Sequence, residues 1–195
     1  MESTQWIGSN KDGSRDWVCG PPAPGGYFFA YTTVGIASGV AAATSAPLLY
    51  NPPASSPQNP NGVVLRIQQV SIGCVSGSLV AGSILYGLIP PSAVLSGLTP
   101  GPTPINAFFG RGNATFAQWY TGVTSSVVPT IIPNSGFSIH GAFTTGKLFT
   151  LQDRPRITLP PGWGFYPFLA NAAGAPNLTA LITVDYMQQS MYSNY

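Results

Sequence analysis

The longest apolar segment of the chain covers residues 61–88, and its pattern predicts two long neighbouring strands. In the first strand one face is apolar up to Gln68 and Gln69, and the apolar positions then continue one residue out of step. Because a β-strand has a side-chain period of two, this shift predicts a β-bulge or bend at the two glutamines. The second run, residues 79–88, is apolar on both faces, which suits a strand inside a sandwich or at a subunit contact. The alternating residues of the first strand are Val63, Leu65 and Ile67, followed by Val70, Ile72 and Cys74.

Further strands are predicted on both sides of this segment. The first covers residues 27–33, and the most regular covers residues 177–187. In the latter, Leu178, Ala180, Ile182, Val184 and Tyr186 face one way, and Thr179, Leu181, Thr183, Asp185 and Met187 face the other. Residues 90–104 contain five prolines and predict an irregular excursion over the surface. Pro129 restricts residues 127–132 to an edge strand, because proline cannot donate a ladder hydrogen bond.

The composition favours strands over helices. Only 6% of the 195 residues are charged, and an exposed helix face normally needs Glu and Lys, of which the chain has one and two. We therefore expect an all-β fold, a single sandwich or barrel domain over residues 27–187, with a polar tail over residues 188–195. A monomer with so few charges would be poorly soluble, so the composition also favours a subunit of a larger assembly.

Residues 1–26 differ from the rest of the chain. They hold five of the twelve charged residues and end in a linker rich in proline and glycine. Trp6 and Trp17 are the large apolar anchors of this segment. One interpretation is a frayed terminus. The other is an extended N-terminal arm that docks on a neighbouring subunit through the two tryptophans.

The residues needed for catalysis or metal binding are scarce. His140 is the only histidine, so one chain cannot form a multi-histidine metal site, and no G-x-S-x-G motif presents a serine nucleophile. The five acidic residues cannot readily supply a glycosidase pair, because three of them lie in the arm. We therefore expect a protein that is not an enzyme and has no cofactor.

Two further classes of partner are disfavoured. The net charge is +2 and the basic residues are scattered along the sequence, which argues against nucleic acid. Residues 71–89 are long enough to span a membrane, but they are rich in serine and glycine and lack a basic flank. We expect no membrane association.

A few side chains in the sandwich are candidates for partner binding. Trp119, Tyr120 and Trp163 could anchor an interface or stack on a sugar, although aromatic side chains in strands usually pack in the core. Arg154 and Arg156, together with Asp153, form the densest charge cluster of the sandwich. This cluster is either a solvated turn with a local ion pair or a source of salt bridges to a partner.

Two segments resemble a known family. In the first segment, Asn-Pro, a Gly/Ser loop and a strand come before Val-Ser-Gly; it reads YNPPASSPQNPNGVVLRIQQVSIGCVSGSL (50–79). In the second segment a Pro-Gly turn separates two strands; it reads RITLPPGWGFYPFLANAAGAPNLTALITVDYM (156–187). Both resemble small structural proteins of tailed-phage virions that fold as jelly-roll, TNF-like sandwiches. The resemblance covers residues 46–187, with its firmest parts at 50–88 and 155–187.

The resemblance implies a single jelly-roll β-sandwich that assembles as a homotrimer. It implies a capsid decoration or cement protein on the virion surface, which binds the major capsid protein or other virion proteins and is made in the host cytoplasm. The alternative is a receptor-binding module of a tail or head fibre. Such a module would recognise host-surface glycans through Trp119, Tyr120 or residues 90–114.

Overall fold

The fold is built from strands throughout the residues described by the computed structural model: 8–9, 15–16, 26–35, 47–60, 62–78, 82–107, 115–132, 137–139, 150–170 and 177–189. This confirms the predicted all-β class. The described residues include no helix that could serve as a membrane span. In chain order the strands are β1 (Gly8–Ser9), β2 (Arg15–Asp16), β3 (Gly26–Gly35), β4 (Leu48–Tyr50), β5 (Val64–Ser78), β6 (Gly82–Ile89), β7 (Leu95–Pro100), β8 (Ile105–Asn106), β9 (Gln118–Ser125), β10 (Thr130–Ile131), β11 (Phe137–Ile139), β12 (Thr150–Asp153), β13 (Ile157–Leu159), β14 (Gly164–Ala170) and β15 (Asn177–Gln189).

Two large antiparallel sheets contain most of these strands. The seven-stranded sheet has the order β10-β6-β14-β4-β9-β7, and β11 also pairs with β6. The six-stranded sheet has the order β12-β5-β15-β3-β8, and β13 also pairs with β5. The two sheets share one apolar core, which confirms the predicted β-sandwich. The short strands β1 and β2 pair with each other within residues 1–26; the jelly-roll connectivity and the extended arm remain predictions.

The two strands of residues 61–88 are not partners, so the prediction of a neighbouring pair is wrong. β5 pairs with β15 in the six-stranded sheet, and β6 pairs with β14 in the seven-stranded sheet. In a sandwich the chain can pass from one sheet to the other between successive strands. Strand partners are then decided by which faces must be buried together, and not by proximity along the chain.

The bulge predicted at Gln68 and Gln69 is present. Opposite β5, Tyr186 faces Ile67 and Asp185 faces Gln69, so Gln68 is one extra residue in the ladder. A bulge changes which face the following residues occupy, and here it keeps the apolar residues of both halves of the strand in the core. The fully buried residues on its two sides are Leu65, Ile67, Val70 and Ile72.

Aromatic side chains fill much of the space between the sheets. Phe28 of β3 stacks on Tyr186 of β15, with ring centroids 5.6 Å apart. Trp119 of β9 is only 4% exposed, and its indole N–H donates to the carbonyl oxygen of Tyr31 at 3.1 Å. This bond joins the two sheets directly and satisfies the polar atom of a buried indole.

The seven-stranded sheet is apolar on both faces. Leu49 and Phe165 point into the main core, whereas the adjacent Leu48 and Tyr166 belong to a second buried cluster. Successive side chains of a strand point to opposite faces, so the second cluster lies on the outer face of this sheet. This agrees with the two apolar faces expected for the strand now identified as β6. The cluster consists of Leu48, Ile89, Val123, Tyr166 and Phe168, with Ala93 and Leu95 among the side chains packed against it.

A buried amide pair connects the two sequence segments that carry the family resemblance. Asn51 Nδ2 donates to the carbonyl oxygens of Val63 at 2.9 Å and Leu159 at 3.0 Å. Asn59 Nδ2 donates to Asn51 Oδ1 at 3.1 Å, while Asn59 Oδ1 accepts from the Val63 N–H at 2.7 Å. The backbone N–H of Gly162 also donates to the Asn51 carbonyl oxygen at 2.7 Å. We call Asn51 and Asn59 the asparagine pair; it fastens the loop before β5 to the turn after β13.

Three element boundaries differ from the sequence-based expectation or refine it. The excursion expected at residues 90–104 contains strand β7, which pairs with β9 at the edge of its sheet. The edge strand expected near Pro129 is β10, and it does lie at an edge. The last strand continues beyond Met187 to Gln189, because Gln188 and Gln189 still pair with Leu65 and Val64 of β5. The side-chain oxygen of Gln188 also accepts hydrogen bonds from Thr115 Oγ1 at 2.8 Å and the Phe116 N–H at 2.6 Å.

Candidate interaction surface

The outer face of the six-stranded sheet carries two features of a binding surface, a group of exposed apolar side chains and a polar groove. On β3, Phe28 and Ala30 point into the core, so Tyr27, Phe29 and Tyr31 point outward. The outer side chains of β15 lie beside them. We call this whole surface the outer face, and it has an apolar part and a polar part.

The apolar part contains three exposed side chains on adjacent strands. Tyr31 is 37% exposed, Ile105 is 41% exposed and Leu181 is 42% exposed. Ile105 lies opposite Phe29 in the ladder between β8 and β3, and Leu181 lies opposite Thr33 in the ladder between β15 and β3. Residues two apart on paired strands are close enough for side-chain contact, so these side chains form one patch. We call Tyr31, Ile105 and Leu181 the apolar patch.

The polar part is a groove of about 250 Å³. Its position follows from the bulge in β5, because the extra residue lets both glutamines reach the groove. The amide of Gln69 is held by a hydrogen bond from its Nε2 to Ser71 Oγ at 3.2 Å. The residues that line the groove are Tyr27, Gln68, Gln69, Arg154 and Arg156.

An internal hydrogen bond fixes one side of the groove. The hydroxyl of Tyr27 donates to the carboxylate of Asp185, which is only 9% exposed. Burial raises the pKa of Asp185 above its ordinary value, and the hydrogen bond from Tyr27 partly offsets this. Burial also raises the pKa of Tyr27, and the nearby carboxylate raises it further. Tyr27 therefore stays neutral at physiological pH, and its hydroxyl continues to donate a hydrogen bond to Asp185.

The other side of the groove carries two exposed guanidinium groups. Arg154 and Arg156 are both exposed and lie between β12 and β13, on either side of Pro155. The carboxylate of Asp153 accepts a hydrogen bond from the backbone N–H of Arg154 at 2.7 Å. In the described part of the chain, no carboxylate forms an ion pair with either guanidinium. Within the described residues, the turn from Asp153 to Arg156 therefore contains a backbone-to-carboxylate hydrogen bond and no ion pair.

Arg156 has an unusual backbone conformation. Its φ is +50°, in the left-handed region that glycine tolerates best. A residue with a Cβ in this region costs about 1–2 kcal/mol. Strain of this kind tends to collect at functional sites, so the conformation supports a role for Arg156 in the groove.

The structure gives different positions to the residues singled out from the sequence. Arg154 and Arg156 line the groove together. Trp119 is buried between the sheets and presents almost no surface, in line with the core interpretation. Tyr120 and Trp163 are half-buried. The Tyr120 hydroxyl donates to Gln118 Oε1 at 2.8 Å, and Trp163 packs against the main core.

Some predictions fall outside the described residues. Trp6 and Trp17 lie there, and so does His140. Among the described residues, no group of three or more His, Cys, Asp or Glu side chains is placed to hold a metal ion.

Tyr27, Gln68 and Gln69 were missed as site residues by sequence reasoning. The phase shift was a sequence signal for the two glutamines alone, and it predicted the bulge without indicating what the bulge exposes. Tyr27 had no signal beyond its place in the first predicted strand. Comparison with known proteins adds no assignment, since the sequence matches no protein-family model and no curated protein.

Proposed function

We propose that the protein is a structural subunit of a tailed-phage virion, which assembles as a homotrimer and decorates the capsid surface. The proposal joins the sequence resemblance to one structural observation, the apolar patch on the outer face. A contiguous group of exposed apolar side chains marks a protein–protein contact more often than isolated ones do, and this supports the proposal. The jelly-roll connectivity belongs to the same proposal.

The apolar patch is the proposed contact between subunits. Its side chains extend from regular strands, which hold them in place before binding and so reduce the entropy lost on association. Asp185 is the nearest acidic group on the same strands, and its buried carboxylate is already bound by Tyr27. The patch itself is therefore uncharged, and burying it requires no ion to be desolvated.

The capsid contact is assigned to the N-terminal segment. It contains Trp6 and Trp17, which supply the large apolar groups that anchor such contacts. Three arms on one trimer would bind the shell together, so weak single contacts would give stable attachment.

The test is a binding assay between the purified protein and capsid particles that lack it, measured by co-sedimentation. We expect saturable binding of the full chain, and loss of binding when residues 1–20 are deleted, while light scattering still reports a trimer. Failure of the full chain to bind would contradict the decoration role. Full occupancy by the truncated protein would contradict the arm assignment alone.

The alternative is a receptor-binding module, and the structure favours the groove over Trp119 as its binding surface. A sugar-stacking platform on Trp119 is not supported, because that side chain is buried and its N–H is bonded within the fold. The groove beside Arg154 and Arg156 is the surface that favours this alternative. In a parallel assay, binding to host cells without binding to particles would favour the receptor role.

A further inference from the structure

The groove on the outer face has the charge of an anion site. Two arginine side chains line it, and neither is paired with a carboxylate in the described part of the chain. Asp185 is buried beside the groove and accepts the hydrogen bond of Tyr27. Guanidinium groups bind carboxylates through two parallel N–H donors, which gives both affinity and orientation.

The neutral residues of the groove indicate a ligand with more than one kind of polar group. Gln68 and Gln69 each offer an amide that both donates and accepts hydrogen bonds. Such amides suit hydroxyl groups, which also donate and accept. Beside them, the ring of Tyr27 is held edge-on to Phe29 with centroids 5.4 Å apart. A carboxylate and several hydroxyls on one small ring would use all of these groups together.

The size of the groove limits the ligand. Its volume of about 250 Å³ is smaller than the roughly 300–1,000 Å³ of cavities that enclose drug-sized ligands. A single sugar unit fits this scale, and the open side leaves room for the rest of a glycan chain to continue into solvent.

The backbone around the groove argues against an extended peptide. A peptide that adds to a sheet needs a continuous row of free N–H and C=O groups along an edge strand. Here the edge is interrupted between β12 and β13, where Pro155 has no N–H and Arg156 is in the left-handed conformation. Recognition at this point therefore depends on side chains.

We propose that this groove binds a sugar unit that carries a carboxylate, with Arg154 and Arg156 on the carboxylate and Gln68 and Gln69 on the ring hydroxyls. The inference does not depend on the decoration role, and it deepens the alternative receptor role by naming the class of sugar that the groove would bind. It adds a saccharide-binding activity to the outer face, next to the apolar patch.

The experiment uses the full-length protein on an array of oligosaccharides that end in glucuronate, galacturonate or sialate, each printed beside its neutral counterpart. Isothermal titration calorimetry with the best acidic ligand then measures the affinity. We expect binding to acidic glycans roughly tenfold or more above their neutral counterparts, and weaker binding at high salt. Equal binding to both members of every pair, or no binding to any, would overturn the proposal.

Variants connect the binding to the groove. Arg154→Gln and Arg156→Gln should each weaken binding roughly tenfold or more, because each removes a charged hydrogen-bond donor pair. Arg156→Gly removes the same guanidinium while relieving the left-handed backbone, so its loss of binding cannot be attributed to misfolding. Arg66→Gln is the matched control, since Arg66 is an exposed arginine on β5 outside the groove. An equal loss in the control would overturn the assignment.

A glutamate-rich peptide distinguishes the other source of carboxylates. We expect it to bind more weakly than the best acidic glycan, since it offers no hydroxyls to the two glutamines. Tighter binding of the peptide would overturn the saccharide class, and would assign the groove to an acidic protein segment.

Discussion

Replacing Asn51 tests the internal organisation that positions β13 and the groove. The side chain is fully buried and makes three hydrogen bonds: it donates to Val63 O and Leu159 O and accepts from Asn59 Nδ2. In Asn51→Ala all three are lost. A typical buried hydrogen bond contributes about 0.5–1.5 kcal/mol net, so the loss should lower the free energy of unfolding by about 2–4 kcal/mol.

This magnitude is large compared with the stability of a typical domain, about 5–15 kcal/mol. For a chain of this size, about 1 kcal/mol corresponds to a shift in Tm of about 2–4 °C. We therefore expect Asn51→Ala to lower Tm by about 5–15 °C, measured by circular dichroism or calorimetry. Gln58→Ala is the matched control, because Gln58 is an exposed amide in the same loop and should change stability by less than about 0.5 kcal/mol.

A double-mutant cycle makes the test sharper. Asn59→Ala should be as damaging as Asn51→Ala, since Asn59 also bonds to Pro52 O and Val63. The two effects should not add, because each substitution already breaks the bond between the two amides. If Asn51→Ala unfolds within about 0.5 kcal/mol of the wild type, the asparagine pair does not hold the loop and the turn together.

Two further substitutions test packing and electrostatics. Gly87→Ala should lower the free energy of unfolding in denaturant by about 1–3 kcal/mol, because the new Cβ would lie 2.5 Å from Cε1 of Tyr166. If this clash is the cause, the same substitution should cost less in a Tyr166→Leu background. An unchanged cost in that background would contradict the explanation. Burial raises the pKa of Asp185, so the folded state binds this proton more tightly than the unfolded state does. The contribution of Asp185 to the free energy of unfolding therefore falls as the pH rises from about 3.8, its ordinary pKa, through the raised pKa of the folded state. Asp185→Asn should therefore unfold at a higher Tm than the wild type above that range, with the difference shrinking at lower pH, whereas a constant difference across pH would contradict the assignment.

Local features of the fold were predictable because they follow from the period of a strand. The alternation that predicted residues 177–187 appears as β15, in which Ala180, Ile182 and Val184 are fully buried. The phase shift at the two glutamines appears as a bulge, because only an extra residue lets both halves of β5 bury their apolar side chains. These patterns act over a few residues and are visible in any single sequence.

Long-range features were not predictable in the same way. β5 and β6 follow one another in the chain, but each pairs with a strand from the C-terminal part. Which strands pair depends on which faces complete the core, and the local pattern of apolar and polar residues does not determine this. The burial of Trp119 has the same cause, since its strand could have presented either face to solvent until the second sheet covered it.

Some residues of the groove were predictable from local sequence, and others depend on long-range strand pairing. Arg154 and Arg156 were recognisable as a charge cluster from sequence spacing alone. Tyr27, Gln68 and Gln69 come from two other strands, and only the ladder of β3, β15 and β5 brings them beside the arginines. The positive φ of Arg156 was also not predictable, because no turn motif in the sequence at that position requires one.

The measurement that tests the proposed assembly most directly is light scattering on the full chain after size-exclusion chromatography, with two matched variants. Leu181→Glu places a charge in the apolar patch, and Val94→Glu places the same charge at a side chain that is 70% exposed outside it. We expect the wild type and Val94→Glu to have three times the chain mass of 20.3 kDa, and Leu181→Glu to be monomeric with an unchanged circular dichroism spectrum. A monomeric wild type, or a Leu181→Glu variant that remains trimeric, would contradict the assignment of the outer face as the subunit contact.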